Sequence, residues 1–410
     1  MNPGRIHYAW VVLTIGTLTV FGSLGLARFG YSVVLPSMQS ALNLENTGAG
    51  GLATANLTGY LLLSLIGGAM ASKYGPRLII SIGMVLTGAG MVLTGTVGSM
   101  WSALVWRAVT GFGSGASNVP TMGLMSAWFG PGMRGFATGI VATGSSIGLI
   151  VTGPLVPRLI ASFPLQGWRI AWYIFGGAVL LIAAVNIVLL RNEPSNKGLN
   201  RLGEPKSQNN QKTALNTAVK WVGVYRSPTV WHMGMVYATF GFSYIIYVTF
   251  FVKYLIGEMD FTAQAAGNLF MLVGWLSLGC GFIWGSLSDR LGRRLALVLI
   301  QLIQALSFLL FGVWQSPAGF TLSAVLFGLT AWSIPAIMAA TCGDVVGHRL
   351  APAALGFVTL FMGIGQAAGP SIGGIIADIS GSFTGAFILS AAVALAGAIG
   401  SAFLKTSKNT

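Results

Sequence analysis

Twelve apolar runs of about twenty residues or more, joined mostly by short loops, leave few folds open to this chain. They extend over 8–35, 48–71, 78–97, 101–127, 135–160 and 169–190, then 229–256, 263–287, 295–315, 318–341, 352–377 and 383–404. At ~1.5 Å per residue, a helix of that length crosses a hydrocarbon core ~30 Å thick. Only 7% of the 410 residues are charged and 54% are hydrophobic, whereas a soluble domain carries about 25% charged residues to face water. A soluble enzyme and a disordered chain are both excluded. The expected fold is an all-α polytopic membrane protein with twelve transmembrane helices. The first run exceeds the ~7–15-residue core of a signal peptide and reads as a retained helix. Glycine, at 58 residues, is about twice its usual ~7%, which suits close helix packing in lipid. Cys280 and Cys342 lack metal-ligand spacing, so neither a metal site nor a disulfide is expected.

The net charge of +14 is explained by where the cations sit. With the N-terminus inside, all of the 22 Lys and Arg except Arg28, Arg107, Arg158, Arg169 and Lys253 fall on the cytoplasmic side. By the positive-inside rule both termini are cytoplasmic, and the membrane is read as a bacterial inner membrane. Nucleic-acid binding is not expected, because the cations are spread over short loops without stacking aromatics. The polar stretch 191–228, rich in Asn, Lys and Pro, reads as a cytoplasmic linker between two six-helix bundles, 1–190 and 229–410.

The two bundles repeat. Gly68–Arg77 (GAMASKYGPR) and Gly285–Arg294 (GSLSDRLGRR) are offset by 217 residues, as are Gly111 and Gly328, and Gly139 and Gly356; Gly153-Pro154 and Gly369-Pro370 are offset by 216. A tandem repeat of six spans is one transporter architecture. GSLSDRLGRR resembles the cytoplasmic loop signature of the major facilitator superfamily. RAVTGFGSG (Arg107–Gly115) is similar to that family's fourth-helix motif, and GQAAGPSIGG (Gly365–Gly374) to its glycine-proline helix motif. HYAWVV, the basic residue in the outer part of the first span, and GFSYIIYVTFFVKYL resemble the monocarboxylate porter and oxalate–formate exchanger branch. The resemblance implies secondary transport by alternating access.

It also implies a gating latch of Asp289 with Arg290, Arg293 and Arg294. The first copy departs from this pattern, with Ser72 at the acidic position and Pro76 at an arginine position. Arg107 is either a gating cation or a structural one that binds backbone carbonyls. Gly111, Gly113 and Gly115 are expected on one side of the fourth span, where they admit a close neighbour. Pro154 and Pro370 each remove one helical hydrogen bond, so bends are expected in the fifth and eleventh spans.

Arg28 is the most informative residue. It lies ~25 Å along the first span, and an arginine at depth costs at least ~2.5–3.5 kcal/mol. Either it snorkels outward or it faces a cavity that receives an anion, whose carboxylate its planar fork grips with two hydrogen bonds. The eight carboxylates (Glu45, Glu193, Glu204, Glu258, Asp260, Asp289, Asp344 and Asp378) all lie outside the middle of the spans. The missing negative charge is read as the substrate. Tyr31, Asn56, Tyr60, Asn118, Tyr237, Tyr244, Tyr247 and Gln366 are candidates to line the same cavity. The partners expected are the lipid bilayer and a small, monocarboxylate-like organic anion, with a proton or a counter-anion as the coupled species. No cofactor is expected, and the chain is read as a monomer. The monocarboxylate porters' acid–arginine pair of the eighth span is replaced by Ser277 and Gly281. An efflux carrier for hydrophobic compounds, with Met and Trp forming an adaptable cavity, is the alternative. No nucleophile motif or His/Cys/Asp cluster supports an enzyme.

Overall fold

The computed structural model describes residues 7–130, 132–203, 222–347 and 350–404. Most of the expected linker, 204–221, lies outside these residues, as do Arg5, Lys206, Lys212, Lys220, Arg349, Lys405 and Lys408.

All the long elements are helices: α1 Tyr8–Ala41, α2 Asn46–Tyr74, α3 Pro76–Thr96, α4 Met100–Trp128, α5 Arg134–Ser162 and α6 Gly167–Leu189. After the linker come α7 Pro228–Gly257, α8 Ala263–Ser277 continued by Cys280–Leu291, α9 Arg293–Val313, α10 Pro317–Val346, α11 Ala351–Ser380 and α12 Thr384–Ala402. Among the described residues, ten are long and apolar enough to span a membrane, and α8 is an eleventh, bent by 43°. The twelfth is α4, a 29-residue helix whose Gly, Ser, Thr and Asn lower its hydropathy. Exposed Leu181, Phe282 and Ile379 show the apolar exterior expected of an integral membrane protein.

Local chemistry sets the helix ends. Ser99, Thr262 and Ser316 cap α4, α8 and α10, each side chain accepting a backbone N–H three residues on. Gly75 and Gly292, one in each repeat, make the same tight turn with φ +89° and +90°, a conformation that favours glycine.

Two sequence readings change. The first helix runs to Ala41, six residues beyond Leu35, because it continues through Pro36. Arg28 therefore lies nearer the middle of α1. The three α4 glycines do not share a side: Gly111 and Gly115 meet Asn56 and Tyr60 of α2, whereas Gly113 meets Gly83 and Thr87 of α3. At 3.6 residues per turn, a step of two carries a residue to the opposite face.

Within 1–190, α4 packs on α2 and α3, and α3 on α6; beyond the linker, α7 packs on α11 and α12, and α9 on α12. The halves meet through α2 against α11 and α5 against α8. The glycine-proline repeats lie at these crossings, with Gly50 on the Pro370 carbonyl and Gly267 on the Gly153 carbonyl. Ser146 receives hydrogen bonds from Ser277 at 2.8 Å and Trp332 at 3.1 Å. Thr54 donates to the Ala367 carbonyl at 2.7 Å and accepts from Ser371 at 2.9 Å. At the end bearing loop 42–45, the Asp378 carboxylate accepts from the backbone N–H groups of Asn46 at 2.9 Å and Thr47 at 2.7 Å. A residue of α11 thereby caps α2, its negative charge placed at the positive end of that helix. Toward the opposite end, Gly135, Gly139, Gly285 and Gly356 face open space. Among the described residues, every hydrogen bond between the halves lies from mid-helix to the 42–45 end. Among the described residues, the hydrogen bonds that hold the halves together thus gather toward that end.

Candidate functional site

Residues 21–29 of α1 wind as a π-helix, with the wider i→i+5 pattern. Gly25 here lies against Gly148 of α5, close enough that a Cβ would strike backbone. The Ala27 carbonyl accepts a 2.8 Å hydrogen bond from Arg107 Nη1. Arg107 is 1% exposed, and its guanidinium lies over the rings of Tyr31 at 4.5 Å and Trp172 at 5.1 Å. It therefore ties α4 to the π segment, the geometry of a carbonyl-binding arginine.

The π segment carries Arg28, which is only 9% exposed and lies 4.3 Å over the ring of Tyr60 on α2. It stays inside the protein instead of reaching for the helix end. Its Nε and Nη2 atoms are shielded from solvent and make no hydrogen bond. They form the edge of the guanidinium that offers two parallel N–H donors to a carboxylate. The ion pairs among the described residues all involve Arg293, so Arg28 has no carboxylate partner there.

Around Arg28 the helices gather several predicted residues. Asn118 of α4 donates to the Tyr60 hydroxyl at 2.9 Å, and Gln366 of α11 donates to the Tyr244 hydroxyl of α7 at 2.5 Å. Trp332 of α10 joins the groups, its ring 5.1 Å from Phe29 and 6.0 Å from Tyr244. Other candidates are engaged in packing. Tyr31 donates to the Ala49 carbonyl at 2.7 Å and Asn56 to the Arg107 carbonyl at 3.1 Å. Both line a small cavity between Arg28 and Arg107, with Ser32 and Thr249. Tyr247 lies apart, bonded to Ser323 at 2.8 Å and enclosed by Phe251, Phe308, Phe311, Phe327 and Phe387. Tyr237 stacks on Phe240 beside Tyr244.

Among the charged loop residues, Arg293 is the hub. It pairs with Asp289 at 2.5 Å and Asp344 at 3.1 Å, and donates to Ser288 at 2.6 Å. These contacts tie α8, α9 and α10 of one half together. Asp344 carries no sequence signal, since it lies 51 residues from its partner. In the first repeat Arg77 donates instead to the Ile187 carbonyl, and its backbone N–H to Asn192 at 2.9 Å. The Asp289 side chain is 63% exposed, so its pair contributes ~0–1 kcal/mol. Asp289→Asn is expected to slow initial uptake by less than ~5-fold, and Arg293→Ala by more, with equilibrium substrate affinity unchanged in both. Lost affinity with an unchanged turnover rate would contradict a conformational role.

The sequence family described as "Uncharacterised MFS-type transporter YbfB" matches residues 20–401. The probable sulfoacetate transporter SauU of Cupriavidus necator is 25% identical, over 92% of this chain and 89% of its own length. The hexuronate transporter of Bacillus subtilis is 23% identical over 90% and 88%, and monocarboxylate transporter 13 of Rattus norvegicus 24% over 82% and 75%. Among solved structures, a bacterial homolog of the human lysosomal transporter Spinster is alike in fold, with a TM-score of 0.70 over 97% of this chain and 95% of that one at 17% identity. The twelve helices, the repeat and the match over nearly the whole length show that the chain is a transporter of the major facilitator superfamily, belonging to the family described by YbfB.

Proposed function

We propose that the protein carries a small organic anion with a carboxylate group across a bacterial inner membrane by alternating access. The observation that carries this reading is the unpartnered N–H edge of Arg28, held near the middle of a spanning helix at a point where both halves contribute side chains. A buried guanidinium without an acceptor is costly, and an anionic substrate supplies the acceptor. The relatives named for sulfoacetate, hexuronate and monocarboxylate transport support an anion. Among the described residues no carboxylate occupies the middle of a span, so exchange against a counter-anion at the same arginine needs no further group, whereas proton coupling needs a carrier. Asp289, Arg290, Arg293 and Arg294 act at the end opposite Asp378, which the cation distribution assigns to the cytoplasm together with both termini.

Uptake of radiolabelled carboxylates into proteoliposomes, competed by a panel of anions and of hydrophobic cations, tests the reading. Competition by carboxylates alone is expected, and competition by the cations alone would favour efflux of hydrophobic compounds. For orientation, an impermeant thiol reagent outside should reach a cysteine at Glu258 and miss one at Lys206. The reverse pattern would overturn the topology.

A further inference from the structure

We infer that the site selects hydroxylated carboxylates, with Asn118 and Tyr60 reading the hydroxyl while Arg28 holds the carboxylate. This rests on the anion reading of Arg28 and extends it to the substrate's second polar group. Asn118 is 7% exposed, and its Oδ1 is shielded without a hydrogen-bond partner while its Nδ2 donates to Tyr60. The Tyr60 hydroxyl accepts that bond, and its own proton has no acceptor among the described residues. The pair therefore offers one unused acceptor and one unused donor side by side. Turning the amide over leaves the same combination, because Nδ2 and a phenol lone pair then become free.

A group that donates and accepts at one atom fits this pair, and a hydroxyl is such a group. A carboxylate oxygen only accepts and would leave the acceptor unsatisfied. An apolar CH would leave the shielded Oδ1 of Asn118 unsatisfied. The Arg28 guanidinium lies on the ring of that same Tyr60 at 4.3 Å. A carboxylate on the fork and a hydroxyl on the pair are then about one tyrosine ring apart, within the reach of one small hydroxy acid. Buried polar groups that a substrate hydroxyl must satisfy discriminate strongly against the analogue that lacks it.

The test is uptake by the full-length protein in proteoliposomes, with radiolabelled acids paired by one hydroxyl: glycolate against acetate, lactate against propionate, gluconate against 2-deoxygluconate. At least one hydroxy acid is expected to enter about 10-fold or more faster than its partner at limiting concentration. Asn118→Ala and, separately, Tyr60→Phe, which keeps the ring under Arg28, should each shrink that ratio toward one by slowing the hydroxy acid more than its deoxy partner. Equal uptake within every pair by the unmodified protein overturns the inference but leaves the anion reading standing. So does a ratio that persists in both variants. No carboxylate uptake at all, or hydroxy-acid uptake that survives Arg28→Ala, sinks the anion reading and this inference with it.

Discussion

Arg28→Ala is expected to abolish carboxylate uptake, and Arg28→Lys to retain part of it. The arginine is 9% exposed near the middle of α1, and its Nε and Nη2 lack partners. A charged hydrogen bond contributes ~1.5–3 kcal/mol, so losing the fork should weaken binding roughly 10- to 150-fold. Alanine also leaves the anion in a low-dielectric site with its desolvation uncompensated. Lysine restores the charge but not the two parallel donors, and its flexible stem has no planar face to lay on Tyr60. Binding by calorimetry and initial uptake, on protein shown to be monodisperse in detergent, separate the two variants. Wild-type uptake by Arg28→Ala would remove the residue-level support for an anion carrier and promote the efflux alternative.

What the sequence made legible follows from period and repetition. Apolar length located the twelve helices, because in lipid the backbone must satisfy itself within each span. The offset of about 217 marked pairs that prove equivalent in space: Gly75 and Gly292 make matching turns, and Gly153-Pro154 and Gly369-Pro370 sit at matching crossings. Scarce mid-span charge singled out Arg28. Long-range geometry stayed hidden. Gly22 and Gly25 hint at a weak helix, but the residues packed on the π segment, Gly148 and Arg107, are far away in sequence. Tyr247 looked like a cavity residue because it is polar, whereas tertiary packing uses its ring among phenylalanines and its hydroxyl on Ser323. Tyr31 and Asn56 likewise each donate to a backbone carbonyl. Tyr60 and Tyr244 were indistinguishable from these by residue type. Their place at Arg28 depends on how α2 and α7 face each other across the two halves.

Gly50→Val should stop transport without touching the anion site. A Cβ on Gly50 would overlap the Pro370 carbonyl on the other half, and backbone cannot turn aside as a side chain can. Relief comes most readily by holding α2 and α11 apart, which keeps the 42–45 end open. Overpacking typically costs ~1–3 kcal/mol, which shifts the closed-to-open balance roughly 5- to 150-fold. Asp378→Asn should move the same balance in the same direction by less, because the amide keeps one acceptor for the α2 N-terminus but loses the second acceptor and the charge that favours it. A cysteine replacing Ser371, which the closed crossing holds against Thr54, reports the balance through its labelling rate with an impermeant thiol reagent. The native Cys280 and Cys342 are buried, which keeps the background low. Labelling should be slowest in the wild type, faster in Asp378→Asn and fastest in Gly50→Val, with uptake falling in the same order and substrate binding retained. Normal uptake and slow labelling in a folded Gly50→Val protein would show that the α2–α11 crossing does not have to open and close. Substrate would then pass by a route that leaves that crossing fixed.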